Sequence, residues 1–193
     1  MIPVQLQPEP AAFNAKVRIP GQQYLQQHPN AKASELKAFW QGDMLKDLWK
    51  AYSGICAYLC IYMELTSGAA SVDHLVPKSR NRNLAYEWKN YRLACLGINR
   101  LKGTKSVLDP IGLRPNSFFI DFSNGRIYPN LSYGKSYQAK CAKTIEILDL
   151  DSQNNRTMRS RHFDEYRNGE VSLSFLQRHS PFVYAEIIRQ GLQ

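Results

Sequence analysis

The sequence predicts an α+β fold, and three observations carry that prediction. Bulky apolar residues recur at helical spacing from Leu36 to Trp49. Two short strand-like runs, Ala70–His74 and Trp88–Ala94, stand apart across a polar, proline-bearing loop and lead into a helical run. An Asn124-Gly125 dipeptide between apolar runs marks a hairpin, and several helical patterns follow it. At 193 residues the chain suits one domain with elaborations: an N-terminal arm (1–33), a helix with a strand–strand–helix core (34–105), and a hairpin with a helical extension (106–193).

Taken in order, residues 1–33 carry Pro3, Pro8, Pro10, Pro20 and Pro29, which predicts an extended arm rather than a helix. Ser34 then caps an aromatic-rich helix. Its Leu36, Phe39, Trp40, Met44, Leu48 and Trp49 form one stripe up to Tyr52, before Gly54 interrupts. Aromatics at that spacing usually serve packing, so Trp40 and Trp49 are assigned to the interior. Ile55–Leu65 is apolar, Thr66-Ser67-Gly68 reads as a turn, and Ala70–His74 is the first strand. Pro77 and the polar run to Asn83 break regular structure before the second strand, Trp88–Ala94, and a helix over Cys95–Lys105. The hairpin pairs Ser117–Asp121 with Arg126–Tyr128. Helices are predicted over Tyr137–Leu148, Ser152–Arg167, Leu173–Arg178 and Pro181–Arg189, the last opened by a proline suited to a first turn.

Composition narrows the function classes. Net charge is +9, and eight basic residues between Lys78 and Lys105 face a single acid, Glu87. The excess therefore surrounds one region, interleaved with Pro77, Asn81 and Asn83 as in a loop. That pattern favours a nucleic-acid partner over a membrane-surface helix. No run reaches the roughly 18 apolar residues a membrane span needs, and Met1-Ile2-Pro3-Val4 lacks signal-peptide features, so a cytoplasmic protein is expected. Four cysteines, at 56, 60, 95 and 141, are too sparse for a secreted disulfide framework.

One constellation carries chemistry: Asp73-His74-(x15)-Asn90-(x8)-Asn99-(x2)-Lys102-Gly103. Cutting a phosphodiester needs an activated water, charge neutralisation at the phosphoryl oxygens and stabilisation of the leaving alkoxide. His74 is the natural base, since imidazole titrates near neutrality. Asp73 and Asn99 offer hard oxygens suited to one Mg²⁺ or Mn²⁺. Adjacent strand residues point to opposite faces, so Asp73 and His74 share a site only if the chain bends there. Lys102, three residues after Asn99 on a helix, shares its face and is assigned to the substrate phosphate, with Arg100 beside it. Lys78, Arg80, Arg82, Arg100 and Lys105 are the candidate nucleic-acid contacts. Each of these residues also has an ordinary structural reading when taken singly; the joint spacing is what singles them out.

The stretch SVDHLVPKSRNRNLAYEWKNYRLACLGINRLKG, Ser71 to Gly103, resembles the HNH nucleases, also called ββα-metal or His-Me finger nucleases. DH-x2-P, YEW-x-NYxLAC and N-x2-KG carry the likeness over 33 residues. The resemblance implies a ββα-metal core, His74 as general base, Asp73 and Asn99 as ligands of the divalent metal, and Asn90 as the brace of the loop that carries the base. Many members add a zinc clasp of two C-x2-C pairs. Here Leu59 and Ile98 stand where two thiolates would be, and Cys60 is displaced by one residue. Structural zinc is therefore not expected; a distorted site using Cys56, Cys60 and Cys95 is the alternative, and apolar contact is the favoured substitute. The opening VQLQPEP-x2-F-x3-V-R-x-PG and the segment IC-x-YLC are similar to small stand-alone bacterial HNH proteins and, more loosely, to the HNH subunit of the Septu anti-phage system. That looser likeness implies antiviral defence beside an ATPase partner.

Three readings follow. The first is a metal-dependent endonuclease on DNA, most simply double-stranded, that grips phosphates without regard to sequence. The second is a catalytically silent nucleic-acid-binding or scaffolding module of the same fold. The third is a nuclease subunit active only with its ATPase, which weak activity of the isolated chain, restored by the partner, would reveal.

Overall fold

A computed structural model describes all residues, Met1–Gln193, and mixes helices with short strands, an α+β architecture. The chain divides into two compact units, each assembled from discontinuous segments. One comprises Leu6–Gly54 and Met63–Ser106; the other comprises Met1–Gln5, Ile55–Tyr62 and Val107–Gln193.

The first unit, hereafter the cleft unit, opens with helical structure where the proline count predicted an extended arm. A π turn, Asn14–Arg18, runs into α1, Ile19–Gln27. Pro20 falls in the first turn of α1, and the wide turn before it accommodates a ring that lacks an N–H. Gly21 lets α1 lie directly on Tyr86: a Cβ there would stand 2.1 Å from the ring's Cγ. The aromatic-rich helix is shorter than its stripe suggested. Residues 33–41 form turns, and α2 spans Asp43–Ala51 behind Gly42, whose φ of 62° only glycine adopts readily. Trp40 consequently sits in a turn and not on a helix.

The centre of this unit is an antiparallel pair, β1 (Ala70–His74) and β2 (Tyr91–Cys95), in register from Ala70 opposite Cys95 to His74 opposite Tyr91. β2 starts three residues later than expected because Trp88–Asn90 first forms a 3-10 turn. Helix α3, Leu96–Lys102, follows without a linker and ends at Gly103, which has a positive φ. Its exposed Leu96 and buried Ile98 and Lys102 show the face it turns inward. Phe13 packs edge-on against Trp88 and Tyr91, so the N-terminal segment completes the core.

The second unit contains the hairpin β3 (Phe118–Asp121) and β4 (Arg126–Pro129), then α4 (Lys135–Ile147), α5 (Gln153–Arg167), α6 (Leu173–His179) and α7 (Pro181–Gln190). Gly125 takes the left-handed turn position, and its carbonyl accepts from buried Arg159 at 2.6 Å. Buried Glu186 of α7 accepts from the Ile120 amide and pairs with Arg189, which ties that helix to β3. No helix in the chain is long and apolar enough to cross a membrane.

Candidate active site

His74 is the last residue of β1, the point at which strand alternation ceases to bind the chain. Asp73 and His74 accordingly both line one cleft of about 340 Å³, with Trp40, Pro77, Lys78 and Asn99 among its other walls. His74 is 8 % exposed, and its imidazole is fixed on three sides. Trp40 and Tyr91 stand edge-on to it at centroid distances of 4.7 and 5.1 Å. Its Nε2 lies 2.9 Å from the Ala85 carbonyl. A carbonyl only accepts, so Nε2 carries the proton and Nδ1 keeps the lone pair. The Tyr91 hydroxyl donates to the same carbonyl at 2.8 Å. Burial pushes the His74 pKa down to about 4; the Ala85 bond opposes this and the Lys78 and Lys102 charges add to it. Near pH 7 the ring is therefore neutral, with a vacant Nδ1.

Asn90 binds the loop between the strands from inside. Its Oδ1 accepts from the Val76 amide at 2.8 Å, and its Nδ2 donates to the Val76 and Leu84 carbonyls at 3.0 Å each. Its own carbonyl accepts from the Leu75 amide. One buried side chain thus holds both ends of the segment that presents Ala85 to His74.

Asn99, on α3, donates from Nδ2 to the Ser71 hydroxyl at 3.1 Å and the Val72 carbonyl at 3.2 Å. With the nitrogen so committed, Oδ1 is the end of the amide left for the cleft. Lys102 lies one turn on and faces inward. Its ammonium is 2.8 Å from Asp73 Oδ1 and 2.8 Å from the His74 carbonyl, with the side chains 0 % and 2 % exposed. This differs from the substrate-phosphate position expected of it. A long aliphatic stem buries readily once its charge meets a carboxylate.

The cation that does reach the cleft is Lys78. Its ammonium lies over the Trp40 ring, 4.4 Å from the centroid, and partial burial lowers its pKa. Lys78, Ser79 and Ala33 also line a neighbouring groove of about 460 Å³ with Lys32 and Arg82. Arg82 is tethered across it to the Ala31 carbonyl at 3.0 Å. Arg80 bonds Ser106, Lys105 bonds the Leu101 carbonyl, and Arg100 is exposed; none of these three lines the cleft or the groove. Sequence reasoning therefore gathered Asp73, His74, Asn99 and Lys78, and missed Trp40 as a cleft wall and Lys32 altogether. Nothing in the spacing of a lone lysine between Asn30 and Ser34 marks it.

A divalent cation at Asp73 would rest on few protein donors, since no three His, Cys, Asp or Glu side chains are gathered as a metal cluster. One carboxylate and one amide oxygen suit Mg²⁺ or Mn²⁺, which keep several waters and share substrate phosphate oxygens. The donor set therefore fits a hard cation, with Lys102 already on the carboxylate. Of the residues weighed for zinc, Cys95 rests against the Met63 sulfur at 3.3 Å, and Cys56 and Cys60 are buried. No protein-family model and no curated protein matches the chain.

Proposed function

We propose that this protein is a metal-dependent endonuclease of the HNH, or ββα-metal, type that hydrolyses phosphodiester bonds of DNA. The observation that carries the reading is the state of His74: a neutral imidazole, its Nε2 proton held by the Ala85 carbonyl, its Nδ1 open, in a cleft shared with Asp73 and Asn99. A general base must be unprotonated, with a lone pair available to the attacking water. The strand–strand–helix order of β1, β2 and α3, with Asn90 fastening the intervening loop, supports the same reading.

In this account His74 Nδ1 accepts a proton from water as the water oxygen attacks phosphorus, and the bond to the departing alkoxide breaks. Asp73 and Asn99 would hold Mg²⁺ or Mn²⁺, whose chemistry is to neutralise phosphoryl oxygens and stabilise the alkoxide. Lys78, steadied by Trp40, takes the phosphate-facing position that spacing had assigned to Lys102. The groove lined by Lys32, Lys78 and Arg82 carries the strand away from the cleft. No aromatic side chain lines that groove, which suits contact with phosphates rather than bases.

A second reading, a nucleic-acid-binding module without catalysis, is favoured by one observation: Asp73 already has a counter-charge in Lys102. Nicking of supercoiled plasmid in Mg²⁺ or Mn²⁺ separates the two. The wild-type chain should nick, and His74→Ala should lose at least ~100-fold in rate, the usual worth of a general base, while retaining DNA binding. Equal cleavage by the variant removes His74 from the chemistry; no cleavage by either leaves the binding module.

A further inference from the structure

The cleft carries no net negative charge of its own. Asp73 is the only acidic residue lining it; Lys102 is bonded to that carboxylate, and Lys78 stands beside it. Arg92, also buried, is the residue paired with Asp73 across the strands. Nor can Lys102 simply turn away. Its ammonium is also held by the His74 carbonyl, its stem is fully buried, and it closes the last turn of α3. Moving it would take a buried ammonium away from its carboxylate.

A hard cation binds through the negative charge of its ligands, and here the ligand charge has been cancelled in advance. A scissile phosphate restores it: the diester brings one negative charge and two non-bridging oxygens, beside Asp73 and within reach of Lys78. We infer that the divalent cation and the nucleic acid load this site together, the phosphate supplying the charge that Lys102 removes from Asp73. This rests on the nuclease reading. It adds that Lys102 sets the order of assembly by keeping the free protein from holding the metal. Linkage makes the effect reciprocal: the cation tightens nucleic acid by the same factor that nucleic acid tightens the cation.

The test is calorimetric titration of Mn²⁺ into the full chain, alone and saturated with an uncleavable phosphorothioate oligonucleotide, with the oligonucleotide's own uptake subtracted. The free chain should show no saturable site. The complex should take up one Mn²⁺ per chain, at least roughly tenfold tighter, within the usual span of coupling factors. Fluorescence anisotropy should show Mn²⁺ tightening the oligonucleotide by the same factor. Lys102→Met should take up Mn²⁺ without oligonucleotide, and Asp73→Asn should lose the site in either state. Should Lys102→Met fail to fold, the wild-type comparison decides. A free wild-type chain that binds one Mn²⁺ with an affinity the oligonucleotide leaves unchanged overturns the inference and leaves the nuclease reading standing. Uptake that survives Asp73→Asn also overturns it, being counter-ion exchange. Oligonucleotide binding with no Mn²⁺ uptake in any state overturns the nuclease reading together with the inference.

Discussion

At the scale of single residues, the site depends on side chains that are buried and committed before any substrate is present. Asn90→Ala removes three hydrogen bonds at once and leaves the Val76 amide without its acceptor. We expect a loss of about 2–3 kcal/mol in unfolding free energy, since each bond contributes about 1 kcal/mol net and an orphaned donor costs more. Cleavage should fall further than binding, because the loop that orients His74 through Ala85 is what loosens. His74 itself links stability to pH. Its folded pKa, about 4, lies below its ordinary 6.5. The unfolded chain therefore binds more protons between those values, and stability rises with pH through that window. A chelator-treated sample should lose melting temperature as pH drops from 6.5 towards 4, and His74→Ala should flatten that part of the curve. A curve unchanged in the variant would assign the acid sensitivity elsewhere. Asp73, His74, Asn90 and Asn99 were legible in the sequence through their joint order and spacing, since each taken singly has an ordinary structural reading. The direction of Lys102 was not. Helical spacing correctly puts it on the face of Asn99, but whether that face meets phosphate or carboxylate depends on what packs beneath it.

Elements were legible where their ends carry local chemistry. Ser172 capping α6, Pro181 opening α7 and the Asn124-Gly125 turn bring those elements within a few residues of their expected bounds. The N-terminal third was misjudged because its signals are tertiary. Prolines argued against a helix over Asn14–Gln27, yet what holds that segment is Phe13 among aromatic rings and α1 resting on Tyr86. The aromatic stripe from Leu36 argued for a long helix, yet Trp40 is drawn out of helical register to wall the cleft beside His74. Two glycine substitutions test this account of α1 against plain propensity. Gly21→Ala places a methyl 2.1 Å from the Tyr86 ring, and we expect destabilisation of about 1–3 kcal/mol with partial displacement of Tyr86. Gly97→Ala, in α3 with nothing within 4 Å of the new Cβ, should instead stabilise by about 0.5–1 kcal/mol. Chemical denaturation of both variants checks the pair. If Gly21→Ala were as stable as the wild type, the close approach of α1 to Tyr86 would not be what anchors the segment.

Across the whole molecule the charge is unevenly shared. The cleft unit holds fourteen basic and seven acidic residues, and the other unit eleven and nine, so most of the +9 resides with His74. The sequence showed the excess between Lys78 and Lys105, but only the fold shows that Lys32 joins Lys78 and Arg82 along one groove while Lys102 is withdrawn from the surface. Counter-ion release makes this measurable. Each phosphate neutralised contributes about −0.9 to the slope of log K against log salt concentration for duplex DNA and about −0.7 for a single strand. With Lys32, Lys78 and Arg82 as the gripping cations, the slope should lie near −3 on duplex DNA, by the same proportion. Lys32→Gln should reduce its magnitude by roughly one phosphate's worth and weaken every sequence alike. Lys143→Gln, which removes an exposed lysine paired with Glu146 in the other unit, should leave the slope unaltered. Anisotropy titrations at several salt concentrations, on the His74→Ala background so that no strand is cut, read both numbers. Equal slopes with and without Lys32→Gln on that background would take the groove out of the substrate path. The exposed Arg100 and Lys105 of the same unit, close in sequence to the cleft-lining Gly103 and Thr104, would then become the cations to test.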